Sequence, residues 1–567
     1  MCKMKKIFLL IILSLNFAFV NAQLNIEWQK CYGGTKGDAV KDVLQTSDGG
    51  FIISLWADSN DGDLIGNHGG FDFCLLKIDR FGKKEWQKSF GGSKDEYLKS
   101  LKQTSDGGYI LAGTTTSSDG DLIGRQGLDG SQVIWIVKLN ITGSIEWKKC
   151  IVDTKINGVA EIHEAFEKGY VISVNQTIGT TGEQTIRKFI KLNTLGEIEW
   201  QKNIEGLKIV KTTDGNYFIC TESNWSKDAD ISYLKINEQG DILWERKIGG
   251  SGTDFARDVQ QTADGGCVIT GVTFSNDGDV IGNHGNGDIW MVKVNASGNI
   301  EWQRCIGGSG IDENELSVLT TNDGGYLITT VAYSVDGDFS GNYGNKNGDI
   351  WVAKLNKFGE IIWKKCIGGS GEDNQNTIIS TKDGSYIICG STNSIDGDVT
   401  GFKGGESDIW LVKINAIGNI EWQRCFGGSK MEISEHVSVF FKTSEDDFFI
   451  INNTMSNDFD VSGNHGDFDI WVVKLTTKSI TNSLTELDNS VGKTTIYPNP
   501  VNNKFSIQFN EPIFKITLMD MLGNLVYTNY SGNKEYYIPE NLQSGSYILE
   551  IDTPLGIIHE NLLINKN

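Results

Sequence analysis

Proline is almost missing from this chain. Five occur in 567 residues, and all five (Pro498, Pro500, Pro512, Pro539 and Pro554) fall within the last seventy positions. A composition break that sharp marks a second domain. Long apolar runs are missing too, apart from Ile7–Val20, which Ser14 and Asn16 interrupt. That run is too short for a spanning helix, so no transmembrane segment is expected. No C-x-x-C pair occurs among the ten cysteines, which argues against a zinc or redox site of that type. Blocks of Lys and Arg are absent, and with 51 basic against 73 acidic residues the chain is a poor partner for nucleic acid or anionic membrane. G-x-S-x-G, H-E-x-x-H and phosphate-binding loops are also lacking.

What stands at the N-terminus is Lys3, Lys5 and Lys6, then the apolar run, then Val20-Asn21-Ala22. This is the pattern of a signal peptide over residues 1–22, cleaved before Gln23, with passage through the periplasm. Cys2 precedes the apolar run whereas a lipoprotein cysteine follows it, which argues against an N-terminal lipid anchor. With the three lysines removed, 48 basic and 73 acidic residues remain, a net charge of about 25 negative.

A repeat dominates the rest. Trp28, Trp86, Trp147, Trp200, Trp244, Trp302, Trp363 and Trp422 stand 58, 61, 53, 44, 58, 61 and 59 residues apart, mostly within "EWQK" or "EWQR". After each Trp come "GGS" or a relative, a "QTSDGGY"-type turn, an acidic loop and an apolar segment such as "DIWMVKVN". Segments such as "YILAGTTT" from Tyr109, "VIWIVKLN" from Val133 and "IEWKKCI" from Ile145 read as strands. Four strands per unit of about sixty residues is the arithmetic of a β-propeller blade with an enlarged loop. The chain enters this pattern at a Trp strand (Asn25 to Cys31) and leaves it after Asp469 to Leu475, so the first strand can complete the last unit and protect its edge. The expectation is an all-β chain: an eight-bladed β-propeller over residues 23–475, a polar linker over 476–495 and a small C-terminal β-sandwich over 496–567. A seven-bladed ring or a β-solenoid is the alternative, because the unit from Trp200 to Trp244 is short. Cys31, Cys150, Cys305, Cys366 and Cys425 share one repeat position and read as buried thiols.

The tail begins "IYPNPVNNKFSIQF" at Ile496, continues with "ITLMDMLGNLVY" and "IPENLQSGSYILEI", and ends "HENLLINKN". It resembles the type A C-terminal sorting domain of the type IX secretion system, with Tyr497, Pro498, Asn499 and Pro500, Asp520 with Gly523, Gly545 with Tyr547, and Lys566 as its markers. The resemblance implies that the type IX machinery of a Gram-negative bacterium recognises this tail. It also implies a protein that is secreted or held at the outer cell surface. The units themselves resemble the "GGS, D, DGGY, G-x-T-x-S" β-propeller repeats of many secreted bacterial proteins. Repeats 3 and 4, Trp147 to Ser232, lack both "GGS" and the acidic loop.

Six acidic loops carry an Asp-x-Asp: Asp61 with Asp63, Asp119 with Asp121, Asp277 with Asp279, Asp336 with Asp338, Asp396 with Asp398, and Asp458 with Asp460. Alternate carboxylates with backbone carbonyls suit a hard cation such as calcium. The spacing departs from the D-x-[DN]-x-[DN]-G signature and Asp-Gly is a common turn pair, so a structural turn is the stronger expectation, with no other cofactor implied. His68, His284 and His465 recur in "GNHG" and read as surface turns. The Trp residues read as packing within or between units. The "SDGGY" turn departs from the S-x-D-x-G-x-x-W of sialidases, and the adjacent cysteines typical of quinoprotein propellers are absent. A glycosidase needs two carboxylates across a cleft, and the repeats single out no pair. The sequence therefore points away from an enzyme and toward a secreted binding or adhesion module for an extracellular glycan or protein. A secreted polysaccharide-acting enzyme of glycoside hydrolase type is the alternative.

Overall fold

The computed structural model describes residues 24–477 and 495–566, apart from 154–155, 179–183, 205–207, 221–228, 311, 313–315, 344–346, 433–438, 444–446, 509–514, 520–524, 530–534, 540–541 and 554–555. The expected signal peptide, most of the expected linker, Asp520 and Gly523 lie outside the described residues. The chain divides into two compact units at the boundary between Ser479 and Ile480.

The first unit is all-β. Its helical turns among the described residues are Gly120–Leu122 and Gly337–Phe339, and no helix there is long and apolar enough to cross a membrane. Eight four-stranded antiparallel sheets follow one another along the chain. The first seven span 38–90, 96–151, 156–203, 208–248, 254–306, 317–367 and 373–426. The eighth consists of Val439–Lys442, Asp447–Thr454, Asp469–Thr476 and, at its edge, Asn25–Tyr32 from the start of the chain. The short unit from Trp200 to Trp244 also yields a complete sheet.

Local chemistry explains each sheet. In the fifth, Cys267–Thr273 and Asp288–Val294 are buried along their whole length and read as continuous apolar runs, whereas Ile300–Ile306 is mostly exposed or half-buried and carries charge. In six of the eight sheets the turn between the first two strands is a Thr-x-Asp-Gly loop. In one, Asp264 Oδ1 accepts from Thr262 Oγ1 at 2.5 Å and from the Gly266 amide at 2.9 Å, and Gly265 takes φ +81, a conformation that favours glycine.

Neighbouring sheets share cores. Eight apolar clusters each draw on two consecutive sheets. One of them joins Phe449, Ile451, Ile470 and Val472 of the eighth sheet to Val40, Phe51, Ile53 and Leu76 of the first. The repeated Trp of each outer strand reaches the next sheet: a Cβ placed on Gly298, at φ +77, would lie 2.7 Å from Trp244 Cζ3. Trp147 Nε1 likewise donates to Thr194 O at 2.9 Å. The recurrent Trp is thus inter-sheet packing, as expected. In the first, second and fifth sheets a buried Lys (Lys77, Lys138, Lys293) sits between the turn Asp and the outer-strand Glu, as Lys293 does with Asp264 (2.9 Å) and Glu301 (2.8 Å). The repeated cysteines are free thiols, buried except for the half-exposed Cys150, which corrects the expectation for that position.

In the second unit, Thr495–Tyr497, Lys504–Gln508 and Glu535–Tyr537 form one sheet, and Leu525–Asn529, Lys515–Met519, Gly545–Thr553 and Gly556–Ile564 form another. Val501, Phe505, Ile507, Ile516, Leu549 and Ile551 share one core.

Candidate functional site

The acidic loops return to the "GGS" segment at the head of their own repeat. The first Asp of each pair accepts from a backbone amide there: Asp61 from Thr35 (2.8 Å), Asp119 from Ser93 (2.8 Å), Asp277 from Ser251 (2.6 Å), Asp336 from Ser309 (2.8 Å), Asp396 from Ser370 (2.7 Å) and Asp458 from Ser429 (2.8 Å). The second Asp reaches an amide or a lysine. Asp121 accepts from Gly91 (3.2 Å), Asp279 from Gly249 (3.3 Å) and Asp398 from Gly368 (3.4 Å). Asp63 pairs with Lys84 (2.5 Å), Asp338 with Lys364 (2.9 Å), and Asp460 with Lys403 (3.8 Å). Ten of the twelve carboxylates therefore staple a loop to the strand end before it, whereas Asp63 and Asp338 reach a lysine of the outer strand that follows. Among the described residues no group of three or more His, Cys, Asp or Glu side chains is placed to hold a metal ion.

Behind these staples lies a second set of acids. The Asp that opens each "DIW"-type strand is buried: Asp72, Asp288, Asp349, Asp408 and Asp469. One oxygen of each accepts a loop amide. Where the loop reads "GNHG" it also faces a histidine ring, at 2.7 Å for His68 Nδ1, 2.6 Å for His284 and 2.7 Å for His465. These histidines are thus partners of buried carboxylates rather than plain surface turns. Tyr343 and Lys403 hold the place of His with their amides, each donating at 2.7 Å. The other oxygen of Asp72, Asp288, Asp408 and Asp469 has no hydrogen-bond partner.

Each of these acids faces another from the next repeat: Glu96, Asp312, Asp373, Glu432 and Asp38, all buried. Their fixed position, four residues after the second Gly of "GGS", lets them accept that Gly's amide, as Glu96 does from Gly92 (2.7 Å) and Glu432 from Gly428 (3.0 Å). The first Gly separates the pair. A Cβ on Gly427 would lie 2.4 Å from Glu432 Oε2 and 2.7 Å from Asp408 Oδ1, so only glycine admits both carboxylates. Burial pushes the Asp408 carboxyl up to about 8, with Glu432 adding to the rise against the pull of the Lys403 amide. Burial raises Asp349 to about 6, with Asp373 and Asp398 adding to it. Asp72, Asp288, Asp373, Glu432 and Asp469 are also raised by burial. Two carboxylates packed against one glycine and out of water disfavour carrying two charges, so one of each pair holds its proton to higher pH. Out of solvent's reach, they lock the sheet interface. The paired positions stand 24 residues apart (72 and 96, 288 and 312, 349 and 373, 408 and 432), so the signal was present in the sequence.

In the second unit the motif residues meet the last strand. Asn499 Oδ1 accepts from the Leu563 amide (2.9 Å) and Val501 exchanges backbone bonds with Leu563 and Asn565 (both 2.7 Å). Tyr497 is exposed, beside Pro498 and Pro500. Gly545 pairs with Ile564 and Tyr547 with Leu562, while the Tyr547 hydroxyl donates to Gln543 O (3.0 Å) and its ring packs against the core. Lys566 Nζ donates to Pro539 O (2.6 Å).

No curated protein matches the chain. Among solved structures, the WD40 domain of SCAP from fission yeast is 9% identical, covers 79% of this chain and 98% of its own, and has a TM-score of 0.43. The Pan2 WD40 domain of Neurospora crassa is 10% identical, covers 66% and 89%, and has a TM-score of 0.33. Residues 495–565 match the family model of the secretion system C-terminal sorting domain. The second unit is therefore a type IX secretion sorting domain, which implies export to the cell surface or the extracellular space.

Proposed function

We propose that the first unit is an eight-bladed β-propeller that works as a binding or adhesion module, carried outside the cell by its tail. Support for the ring comes from the order of packing, in which each sheet shares a core with the next and the eighth with the first, and from Asn25–Tyr32 completing the eighth sheet. One observation carries the function: a repeat unit of this kind precedes a tail that matches a sorting domain over residues 495–565. A binding role is favoured over hydrolysis by the fate of the repeated acids. The loop pairs staple backbone amides and the dyads are buried, whereas a glycosidase needs two carboxylates facing substrate.

Two experiments test the reading. Fusing residues 476–567 to a foreign periplasmic protein, in a host with a working type IX system, should send it outside; a reporter left in the periplasm refutes the route. A glycan array probed with the purified chain should show selective retention, whereas turnover of a polysaccharide without retention would favour the enzyme.

A further inference from the structure

Five sheets carry a fully buried Trp in the third strand: Trp135, Trp290, Trp351, Trp410 and Trp471. Four of the five indoles have an acceptor. Trp290, Trp410 and Trp471 donate from Nε1 to the Gln that follows the outer-strand Trp: Gln303 (2.8 Å), Gln423 (2.7 Å) and Gln29 (2.8 Å). In the sixth sheet a Lys replaces that Gln, and Trp351 donates instead to the loop carbonyl Asp338 O (2.9 Å), while Lys364 bonds the Asp338 carboxylate. In the second sheet the position is again lysine, Lys148. Here Lys148 Nζ donates to Asp121 O, the carbonyl that corresponds to Asp338 O. Trp135 Nε1 is left buried with no acceptor.

A second change meets the first. Four of the five sister loops place Asn67, Asn283, Asn342 or Asn464 where each amide donates to the end of the second strand, and the fifth has Phe402 there. The second repeat has Arg125 there. Its Nη2 donates to Thr116 O (3.3 Å) and Leu128 O (3.1 Å), but Nε and Nη1 are buried without partners. Trp135, Arg125, Lys148, Lys149, Asp121 and Cys150 line one open cleft of about 270 Å3. Asp121 is the one acid among them, and one of its oxygens is engaged by the Gly91 amide (3.2 Å). Three cations less one carboxylate leave the cleft positive on a chain of net charge −22. Buried donors that lack acceptors cost free energy unless something accepts from them.

We propose that this cleft binds a carboxylate, on a ligand no larger than one sugar ring. Such a group accepts from Trp135 Nε1 and from the Arg125 guanidinium while Lys148 and Lys149 balance its charge, and charge-assisted bonds of this kind are the strong ones. The cleft is too small for a larger ligand to be enclosed. The inference rests on the binding-module reading and gives it a ligand chemistry; a uronic acid and a free organic acid share that chemistry.

The test is calorimetric titration of the full chain with glucuronate, acetate and glucose at low salt. Glucuronate should bind at least tenfold more tightly than glucose. Binding of acetate as well assigns a free carboxylate as sufficient, and binding of glucuronate alone assigns a role to the ring. Lys148→Gln recreates the Trp–Gln pair of the sister sheets, so it should keep the melting temperature and lower glucuronate affinity tenfold or more. Trp135→Phe, which keeps the packing, should also weaken it. Equal binding of glucuronate and glucose, or a Lys148→Gln protein that binds glucuronate as before, overturns the proposal. Retention of a neutral glycan unaffected by Lys148→Gln would leave the binding module standing and this site refuted.

Discussion

Replacing Asp408 by Asn removes one charge from the Asp408–Glu432 pair and keeps its shape, which makes it a direct measure of what these buried dyads do to stability. The carboxyl stands at about 8 in the fold against about 3.9 in an unfolded chain. A group whose acid strengthens on unfolding favours the fold while protonated. Its contribution is fully present below pH 4 and is lost as pH rises toward 8. Four units at about 1.4 kcal/mol each put the loss at roughly 5 kcal/mol as an upper value. For the roughly 450 residues of the first unit, an unfolding entropy of about 2 cal/mol/K per residue turns that into a shift of about 5 °C. Lys403 and Asp460 also face Asp408, and their opposite signs offset one another. Calorimetry from pH 5 to 8.5 should therefore show the parent melting at lower temperature as pH rises, and Asp408→Asn recovering about 5 °C at pH 8.5 but little at pH 5. A variant no more stable than the parent at pH 8.5 would refute this account of the buried pair.

The turn aspartates act at the other end of the scale. Burial pushes the Asp264 acid up, but Thr262, Gly266 and Lys293 outweigh it and hold it at about 2. Its stabilisation should disappear as pH falls from about 4 to 2, so that circular dichroism places the stability maximum near pH 4 to 5. Deleting residues 24–32 strips the edge strand from Asp469–Thr476 and the buried Leu24, Cys31 and Tyr32. At roughly 1.5–3 kcal/mol per buried side chain, the first unit should lose about 5 kcal/mol or more, and an unchanged melting temperature would contradict the closure. Because amides and lysines already engage the loop carboxylates, millimolar calcium added after chelation should move the melting temperature by less than about 1 °C. A larger rise, abolished by Asp277→Ala with Asp279→Ala, would establish calcium sites instead. Lys293→Met should cost about 1–3 kcal/mol in a denaturant melt, since Asp264 and Glu301 keep access to water but lose their shared cation.

The sequence by itself determined the parts whose physics is local. Alternation and apolar runs specified strands such as Tyr109–Thr115 and Val133–Leu139, and Asp-Gly-Gly specified the turns between them, because pleat and turn geometry depend on a few adjacent residues. The Trp spacing counted the units, the split pattern at the two ends foretold the pairing of Asn25–Tyr32 with Asp469–Thr476, and a set of ordered motifs revealed the tail. Tertiary structure decided what the acids and the histidines do. Asp408 and Glu432 sit in separate repeats, and only packing of the seventh sheet on the eighth buries both, brings them to one glycine and raises one of them to about 8. The same holds for Trp135, whose missing acceptor follows from Lys148, which stands where sister sheets have the accepting Gln and itself bonds Asp121 O. A carboxylate's or an indole's role is set by the dielectric and the partners around it, and those belong to the packed fold, not to its neighbours in sequence.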